Sequence, residues 1–210
     1  MNRLLILLFP ILLGACSILP KGEALDVYLL PAARVSRHVE APKGDWVLRV
    51  RQPQSSERID TTRIAVLPQG DLLSTYKGAR WSDRAPRLLR DRIINAFRDD
   101  GRLTAVISED TRISADLELG GDLGAFQSEY HDGRIETHIL LEARLVKSDS
   151  QRIIARHRFE VRQVSTGSSV SDVVTAFGQA ADQLSEQLLA WTMDQADIAI
   201  CHGPKVTAPS

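Results

Sequence analysis

The sequence predicts an α+β fold in which a single mixed, mostly antiparallel sheet carries two amphipathic helices packed on one face. Several segments alternate apolar and polar residues, which is the period of a strand with one buried face, and three of them follow one another as a meander after residue 116. Two other segments repeat apolar residues at steps of three and four, as helices with one apolar stripe do. Two such stripes are most simply buried against the same face of one sheet.

The N-terminus has the pattern of a bacterial lipoprotein signal. An apolar stretch over residues 4–13 is too short to span a membrane but has the length of a signal-peptide core. It ends in Leu13-Gly14-Ala15-Cys16, which resembles a lipobox. The resemblance implies that residues 1–15 are a signal peptide and that Cys16 is lipidated. Several acyl chains on one residue form a stable membrane anchor, whereas one chain would be marginal.

A lipid anchor at Cys16 implies that the rest of the chain is exported. Ser17 follows the cysteine where an aspartate would retain a lipoprotein at the inner membrane in enteric-type bacteria, so the resemblance favours an outer-membrane lipoprotein facing the periplasm. If Cys16 is lipidated, Cys201 has no partner for an intramolecular disulfide. After the signal, no apolar run is long enough to cross a membrane.

The composition is that of one ordinary globular domain. The chain has 210 residues, of which 43% are hydrophobic and 25% charged, and a net charge of −1. Nucleic-acid binding would require a strongly basic face, so the composition argues against it. We expect residues 16–44 to form a lipidated tether with one short strand, residues 45–200 to form the α+β domain, and residues 201–210 to be a disordered tail.

Three strands are predicted before the first helix, one in the tether and two in the domain. Residues 27–30 are a short strand candidate within the tether, and residues 46–51 alternate apolar and polar side chains. Residues 63–67 form a continuous apolar run before Pro68, which is typical of a central strand covered on both faces.

The first helix is predicted from its start signals, its stripe and its stop. Pro86 suits a first helical turn, with Ser82 or Asp83 as the cap. One apolar stripe follows, formed by Leu89, Ile93, Ala96 and Phe97. Gly101 is typical of a helix stop, and residues 103–107 are predicted to form the next strand.

The meander contains three predicted strands, at residues 116–126, 135–146 and 153–162. The first places Leu117, Leu119, Leu123 and Ala125 on one face, and its glycine-rich run at residues 120–124 indicates a bulge or bend. Asp132-Gly133 is a strong hairpin signal between the first two strands.

A long helix closes the predicted domain. Ser169 and Asp172 have the spacing of a capping box. The apolar stripe that follows consists of Val170, Val173, Val174, Phe177, Ala181, Leu184, Leu188 and Trp191.

The sequence contains no nucleophile elbow, zinc-binding helix or phosphate loop. The five histidines lack ligand spacing; His138 and His157 could face each other across a hairpin, but sheet histidines are far more common than metal sites. The sequence therefore predicts no catalytic, cofactor-binding or metal-binding residues, and no enzyme.

Residues 76–84 form an unusual segment before the first helix, which we interpret as a loop. Tyr76, Arg80, Trp81 and Arg84 are concentrated there, and these residue types dominate the energetics of protein interfaces. We predict a partner interface at these four residues. The alternative is that Trp81 merely fastens the helix start to the sheet while Tyr76 fills a gap.

The same segment carries a family resemblance. The matching residues are Cys16, Tyr28-Leu29-Leu30-Pro31, Ile64-Ala65-Val66, Gly78-Ala79-Arg80-Trp81-Ser82-Asp83, Pro86, Leu88-Leu89, Ala96-Phe97 and Gly101. Their order resembles the ABC-type transport auxiliary lipoproteins, the family of paraquat-inducible protein C. The resemblance implies an outer-membrane lipoprotein that works with an MCE-protein system moving lipids between membranes, which has its own permease and ATPase.

Four functions are compatible with the sequence. The leading one is a lipid-anchored docking component whose partner is the MCE-domain protein, which contributes to membrane integrity. A lipid-binding carrier would require a cavity between the sheet and the second helix. An assembly lipoprotein of another envelope machine is the third, and a hydrolase is a distant fourth. A homo-oligomer is a further candidate partner.

Overall fold

The computed structural model describes residues 25–32 and 44–201, without the side chains of residues 199–201. The predicted signal peptide, Cys16 and residues 202–210 of the predicted tail lie outside these ranges. Within them the chain forms, in order, β1 (Asp26–Tyr28), β2 (Gly44–Val50), β3 (Gln54–Ser55), β4 (Arg63–Gln69), β5 (Leu72–Trp81), α1 (Ala85–Asp100), β6 (Leu103–Ser108), β7 (Leu117–His131), β8 (Arg134–Lys147), β9 (Arg152–Val164) and α2 (Val170–Cys201).

The sheet is organised around β7, its longest strand. Along one edge β7 pairs with β8 over its whole length, and β9 follows β8; both pairings are antiparallel. Along the other edge β7 pairs in parallel with β2, β3 and β4 in succession. Beyond these, β6 lies beside β2, while β5 pairs with β4 and β1 pairs with β5. The predicted α+β fold with a single mixed sheet is confirmed, and the antiparallel meander supplies its longest ladders.

Both helices cover the same face of this sheet. Helix α2 lies against β8 and β9, α1 lies against β2 and β6, and the two helices contact each other. An ion pair between buried Arg92 of α1 and Asp182 of α2 joins them. The predicted stripes are buried, with Leu89 and Phe97 of α1 and Leu184 and Leu188 of α2 almost wholly inaccessible to solvent. In the described part of the chain, no helix is both long and apolar enough to cross a membrane.

The start of α1 differs from the prediction. Arg84 is the N-cap residue and its side chain makes no capping hydrogen bond, so neither Ser82 nor Asp83 caps the helix. The Asp83 carboxylate instead accepts a hydrogen bond of 2.7 Å from the backbone nitrogen of Arg84 and pairs with Arg87 at 3.3 Å. The predicted stop at Gly101 is confirmed, because this residue has the left-handed φ of 77° that favours glycine.

Two other local signals form as the sequence predicts. The Ser169 hydroxyl accepts a hydrogen bond from the Asp172 backbone nitrogen, and the Asp172 carboxylate accepts one from the Ser169 backbone nitrogen, both at 3.2 Å, which is the reciprocal arrangement of a capping box. Asp132 and Gly133 have φ angles of 48° and 77°, as a two-residue hairpin turn requires.

The glycine-rich part of β7 contains the predicted bulge, and the bulge corrects one face assignment. Leu123 pairs with Leu141 whereas Ala125 pairs with Leu140, so the ladder shifts at Gly124. Ala125 therefore lies on the opposite face from Leu123, and Phe126 takes the place on the helix-covered face that the sequence assigned to Ala125.

Candidate functional site

The segment predicted as an interface loop, residues 76–84, is largely strand. Residues Tyr76 to Trp81 belong to β5, which pairs with β4 on one side and with β1 on the other. The prediction of a loop was wrong because β5 is irregular here. Arg80 pairs with Arg63 and Thr75 with Ala65, so β5 has extra residues between the two pairs, and Gly78 within them has a left-handed φ of 70°.

Trp81 belongs to the core and not to an exposed contact. Its side chain is fully buried, and its ring meets the rings of Phe126 and Phe177 edge-on, with centroids 6.0 and 5.2 Å away. Edge-on aromatic pairs add to the free energy gained from burial alone. The cluster links β5, β7 and α2, so Trp81 fastens the end of β5 under the helix layer, as the alternative interpretation of the sequence proposed.

Tyr76 is half-buried on the same strand. Its hydroxyl lies 3.0 Å from the Oγ of Ser128, a residue of β7 that is fully buried. Burial raises the pKa of the Tyr76 hydroxyl to about 12, because the phenolate would lose its hydration, although the Ser128 bond acts in the opposite direction. The Tyr76 hydroxyl is therefore used in an internal hydrogen bond, as expected for a residue that fills a gap in the packing.

The two arginines are the charged members of the predicted interface. Arg84 is exposed; its Nη1 donates to the Asp60 carbonyl oxygen at 2.8 Å and lies 3.1 Å from the Asp60 carboxylate. Arg80 is partly exposed and lies opposite Arg63 of β4 on one side and Val27 of β1 on the other. The structure thus places Tyr76, Arg80 and Trp81 in β5 and Arg84 just after it, with Trp81 buried, Tyr76 and Arg80 partly exposed and Arg84 exposed.

A second polar cluster lies on the outer face of the meander, and the sequence did not reveal it. Buried Glu129 accepts hydrogen bonds from Arg162 at 2.8 Å and from Gln127 at 3.0 Å, and its oxygens lie 2.8 Å from a ring nitrogen of His138 and 3.0 Å from one of His131. Burial opposes ionisation, but these partners outweigh it and hold the pKa of Glu129 well below its usual range. Alternation along β7 and β8 could have placed these residues on one face, but only the register brings them together.

The histidine pair considered from the sequence does not form. His138 pairs with Arg162 in the β8–β9 ladder, whereas His157 pairs with Ala143. The His157 ring instead lies 4.6 Å from that of Phe159 and 6.3 Å from that of Trp191. Among residues 25–32 and 44–198, no group of three or more His, Cys, Asp or Glu side chains is arranged to hold a metal ion.

Comparison with known proteins assigns this architecture to a family. The family model described as the ABC-type transport auxiliary lipoprotein component matches residues 28–189, from β1 into the second half of α2. The chain belongs to the ABC-type transport auxiliary lipoprotein family. Its members are lipoproteins, and so are anchored in the cell envelope, and they serve an ABC transport system. The resemblance inferred from the sequence is therefore confirmed.

Individual relatives support the fold of this auxiliary lipoprotein without adding a function. A crystal structure of a Xanthomonas campestris protein matches with a TM-score of 0.77 at 31% identity, covering 83% of this chain and 98% of that one. The crystal structure of another uncharacterised protein matches with a TM-score of 0.64 at 14% identity, covering 81% of this chain and 99% of that one. An uncharacterised protein of Bradyrhizobium diazoefficiens is 25% identical over 70% of this chain, and the alignment spans only 39% of that relative's length.

Proposed function

We propose that this auxiliary lipoprotein is anchored in the outer membrane through Cys16 and docks the periplasmic part of an MCE-type lipid transporter. The single observation that carries the proposal is the family match over residues 28–189, which associates the fold with ABC transport. The lipobox at Cys16 supplies the anchor, and Ser17 supports sorting to the outer membrane. In this role the protein catalyses nothing itself, needs no cofactor, and contributes to membrane integrity by holding the transporter in place.

The docking contact in this proposal includes Arg84. Its guanidinium is exposed at the start of α1 and is held over the Asp60 carbonyl and carboxylate, so little side-chain freedom remains to be lost on binding. An arginine fixed in this way can offer its remaining donors to a carboxylate of the MCE-domain protein. The neighbouring Arg87 is paired with Asp83 in the same turn, which extends the charged surface along the first turn of α1.

The packing between sheet and helix favours docking over the carrier alternative. A carrier would need an apolar cavity beneath α2, but the side chains there are fully buried in one hydrophobic core cluster, which includes Phe177, Leu184 and Leu188 of α2 and Trp81 and Phe126 of the sheet. Opening a cavity here would forfeit packing that contributes to folding. The described residues therefore support a filled core beneath α2.

This function can be tested by purifying the tagged full chain from the cell envelope of the bacterium that produces it, after mild cross-linking. We expect the MCE-domain protein of the cognate transporter to co-purify with wild-type protein. In parallel, the Cys16→Ser variant should lose palmitate labelling and remain an unprocessed precursor. Labelling that persists in this variant would contradict anchoring at Cys16, and wild-type protein that is lipidated but never retains the MCE-domain protein would contradict docking.

A further inference from the structure

The outer side of the sheet edge at β1 combines an apolar row with two arginines. We propose that this patch, formed by Leu25, Val27, Leu29, Arg63 and Arg80, lies on the phospholipid surface of the membrane to which the chain is anchored. The proposal rests on the anchor at Cys16 that the proposed function includes. It names a contact surface that is separate from the docking contact at Arg84.

The arginine pair is the first observation. Arg63 of β4 and Arg80 of β5 are directly opposite each other across the two strands, so their side chains project from the same face. Like charges in this position destabilise a sheet. In the described part of the chain neither guanidinium has an ion-pair partner, unlike Arg84, which binds Asp60. The positive charge of the pair is therefore not neutralised by an ion pair within the described residues, and an anionic group that contacts both guanidinium groups would neutralise it.

The apolar row is the second observation. Val27 of β1 is opposite Arg80, which places it on the same face, next to the pair. Leu25, Val27 and Leu29 are 53%, 51% and 73% exposed, whereas the alternating residues Tyr28 and Leu30 pack against the core. The patch therefore complements both parts of a phospholipid. Arginine side chains pair well with its phosphate, and exposed leucine and valine side chains suit the boundary of its acyl chains.

The position of the anchor is the third observation, and it selects a bilayer over a protein as the occupant. Cys16 precedes Leu25 by nine residues, which span at most about 30 Å when fully extended. Once Cys16 is acylated, these nine residues set an upper limit on how far the patch can lie from the membrane. No other part of the described structure is as close to the anchor along the chain. Residues 25–32 are also fixed to the body, because the Tyr28 carbonyl accepts a hydrogen bond of 2.8 Å from the Ser82 backbone nitrogen.

The contact can be tested with the acylated full chain reconstituted into vesicles. An environment-sensitive fluorophore is attached to Leu29→Cys in a Cys201→Ser background, since acylated Cys16 has no free thiol. The matched control carries the fluorophore on Ile153→Cys, which is 43% exposed on β9 at the opposite edge of the sheet. Vesicles contain phosphatidylcholine with or without phosphatidylglycerol, together with a lipid that carries a nitroxide quencher at the acyl boundary.

We expect lipid-dependent quenching at residue 29 and none at residue 153, with stronger quenching when phosphatidylglycerol is present. Each arginine near an anionic surface shifts such a contact by about fivefold. Arg63→Gln with Arg80→Gln should therefore lower the equilibrium constant for docking by more than tenfold, while Arg152→Gln with Arg156→Gln on β9 should not change it.

Three results would overturn the proposal, and they have different causes. Quenching at residue 29 that is no greater than at residue 153 in fully acylated protein would show that the patch is not the surface that lies on lipid although the anchor stands. A probe at residue 29 that becomes shielded only when the MCE-domain protein is added would assign the patch to a protein contact. Protein without acyl mass at Cys16 would remove the anchor itself, and with it this orientation.

Discussion

Gly178 of α2 and Pro31 of the N-terminal segment are in contact so close that only glycine fits. A methyl group at Gly178 would lie 2.8 Å from the carbonyl oxygen of Pro31 and 2.9 Å from its Cβ. The segment that joins the proposed anchor to the domain is thus held twice, by β1 on β5 and by Pro31 on α2. Through these two contacts, the part of the N-terminal segment that follows the proposed anchor is held against the domain.

Gly178→Ala should loosen this segment even though alanine favours a helix interior by about 1 kcal/mol. The added methyl group would displace Pro31, so the amide of Ser82, which donates to the Tyr28 carbonyl, should exchange its hydrogen faster. Hydrogen exchange with peptide-level detection measures this. The control is Gly120→Ala, where the methyl group would meet Arg51 at an ordinary 3.6 Å. Identical exchange of the Ser82 peptide in both variants would show that the segment does not depend on the contact.

Leu184→Asp should unfold the domain or lower its stability by several kcal/mol, against a total of about 5–15. Leu184 is fully buried between α2 and the sheet, so an aspartate there would have no partner for its charge. Chemical denaturation followed by circular dichroism measures the loss. Gln187→Asp on the exposed side of the same helix should change stability by less than about 0.5 kcal/mol. A Leu184→Asp variant as stable as this control would contradict the packing of α2.

Trp81→Ala should cost about 3–5 kcal/mol, because it removes a fully buried ring that contacts Phe126 and Phe177. Arg84→Ala, three residues further along, should leave the melting temperature within a few degrees, since an exposed ion pair contributes at most about 1 kcal/mol. Thermal melting of the two variants side by side checks this division. Comparable melting temperatures would mean that Trp81 does not hold β5 to the core.

The Glu129 cluster should make stability depend on acid. Because the pKa of Glu129 is lowered in the folded state, its carboxylate contributes stability above the unfolded pKa of about 4.3, and this contribution is lost as the pH falls below that value. Glu129→Gln should be less stable at pH 7 by about 2 kcal/mol and should lose less stability between pH 6 and pH 3. Denaturation at both pH values measures this, with Glu142→Gln on the exposed face as the control. A wild-type acid dependence in Glu129→Gln would exclude the cluster as its source.

Local patterns predicted much of this fold because their signals lie within a few residues. The stripe of α2, its capping box at Ser169 and the turn at Asp132 depend on spacing alone, and all three formed. The prediction failed where pairing between distant residues decides the conformation. The irregular strand β5 was taken for a loop because the residues around Gly78 break the alternation, and the two-residue strand β3 forms only through its pairing with β7.

The candidate site was predicted only in part for the same reason. Composition identified Arg80, Trp81 and Arg84 as a group, but it could not show that Trp81 points into the core while the arginines stay accessible. Arg80 belongs to a pair of like charges with Arg63. The two residues are seventeen positions apart in the chain and are adjacent only through the β4–β5 register. Similarly, Arg92 is buried because Asp182 of α2 meets it, which no pattern within α1 indicates.

The central claim, that this lipoprotein docks an MCE-domain protein beside Arg84, is tested most directly by site-specific photo-cross-linking in intact cells. A photoreactive residue replaces exposed Ser82 in the acylated full chain, and a control replaces Ile153 at the far edge of the sheet. We predict a cross-link to the MCE-domain protein from position 82, little or none from position 153, and a weaker cross-link from position 82 when Arg84→Ala is added. Acylated protein that yields no MCE cross-link from position 82, or equal cross-links from both positions, would contradict the account.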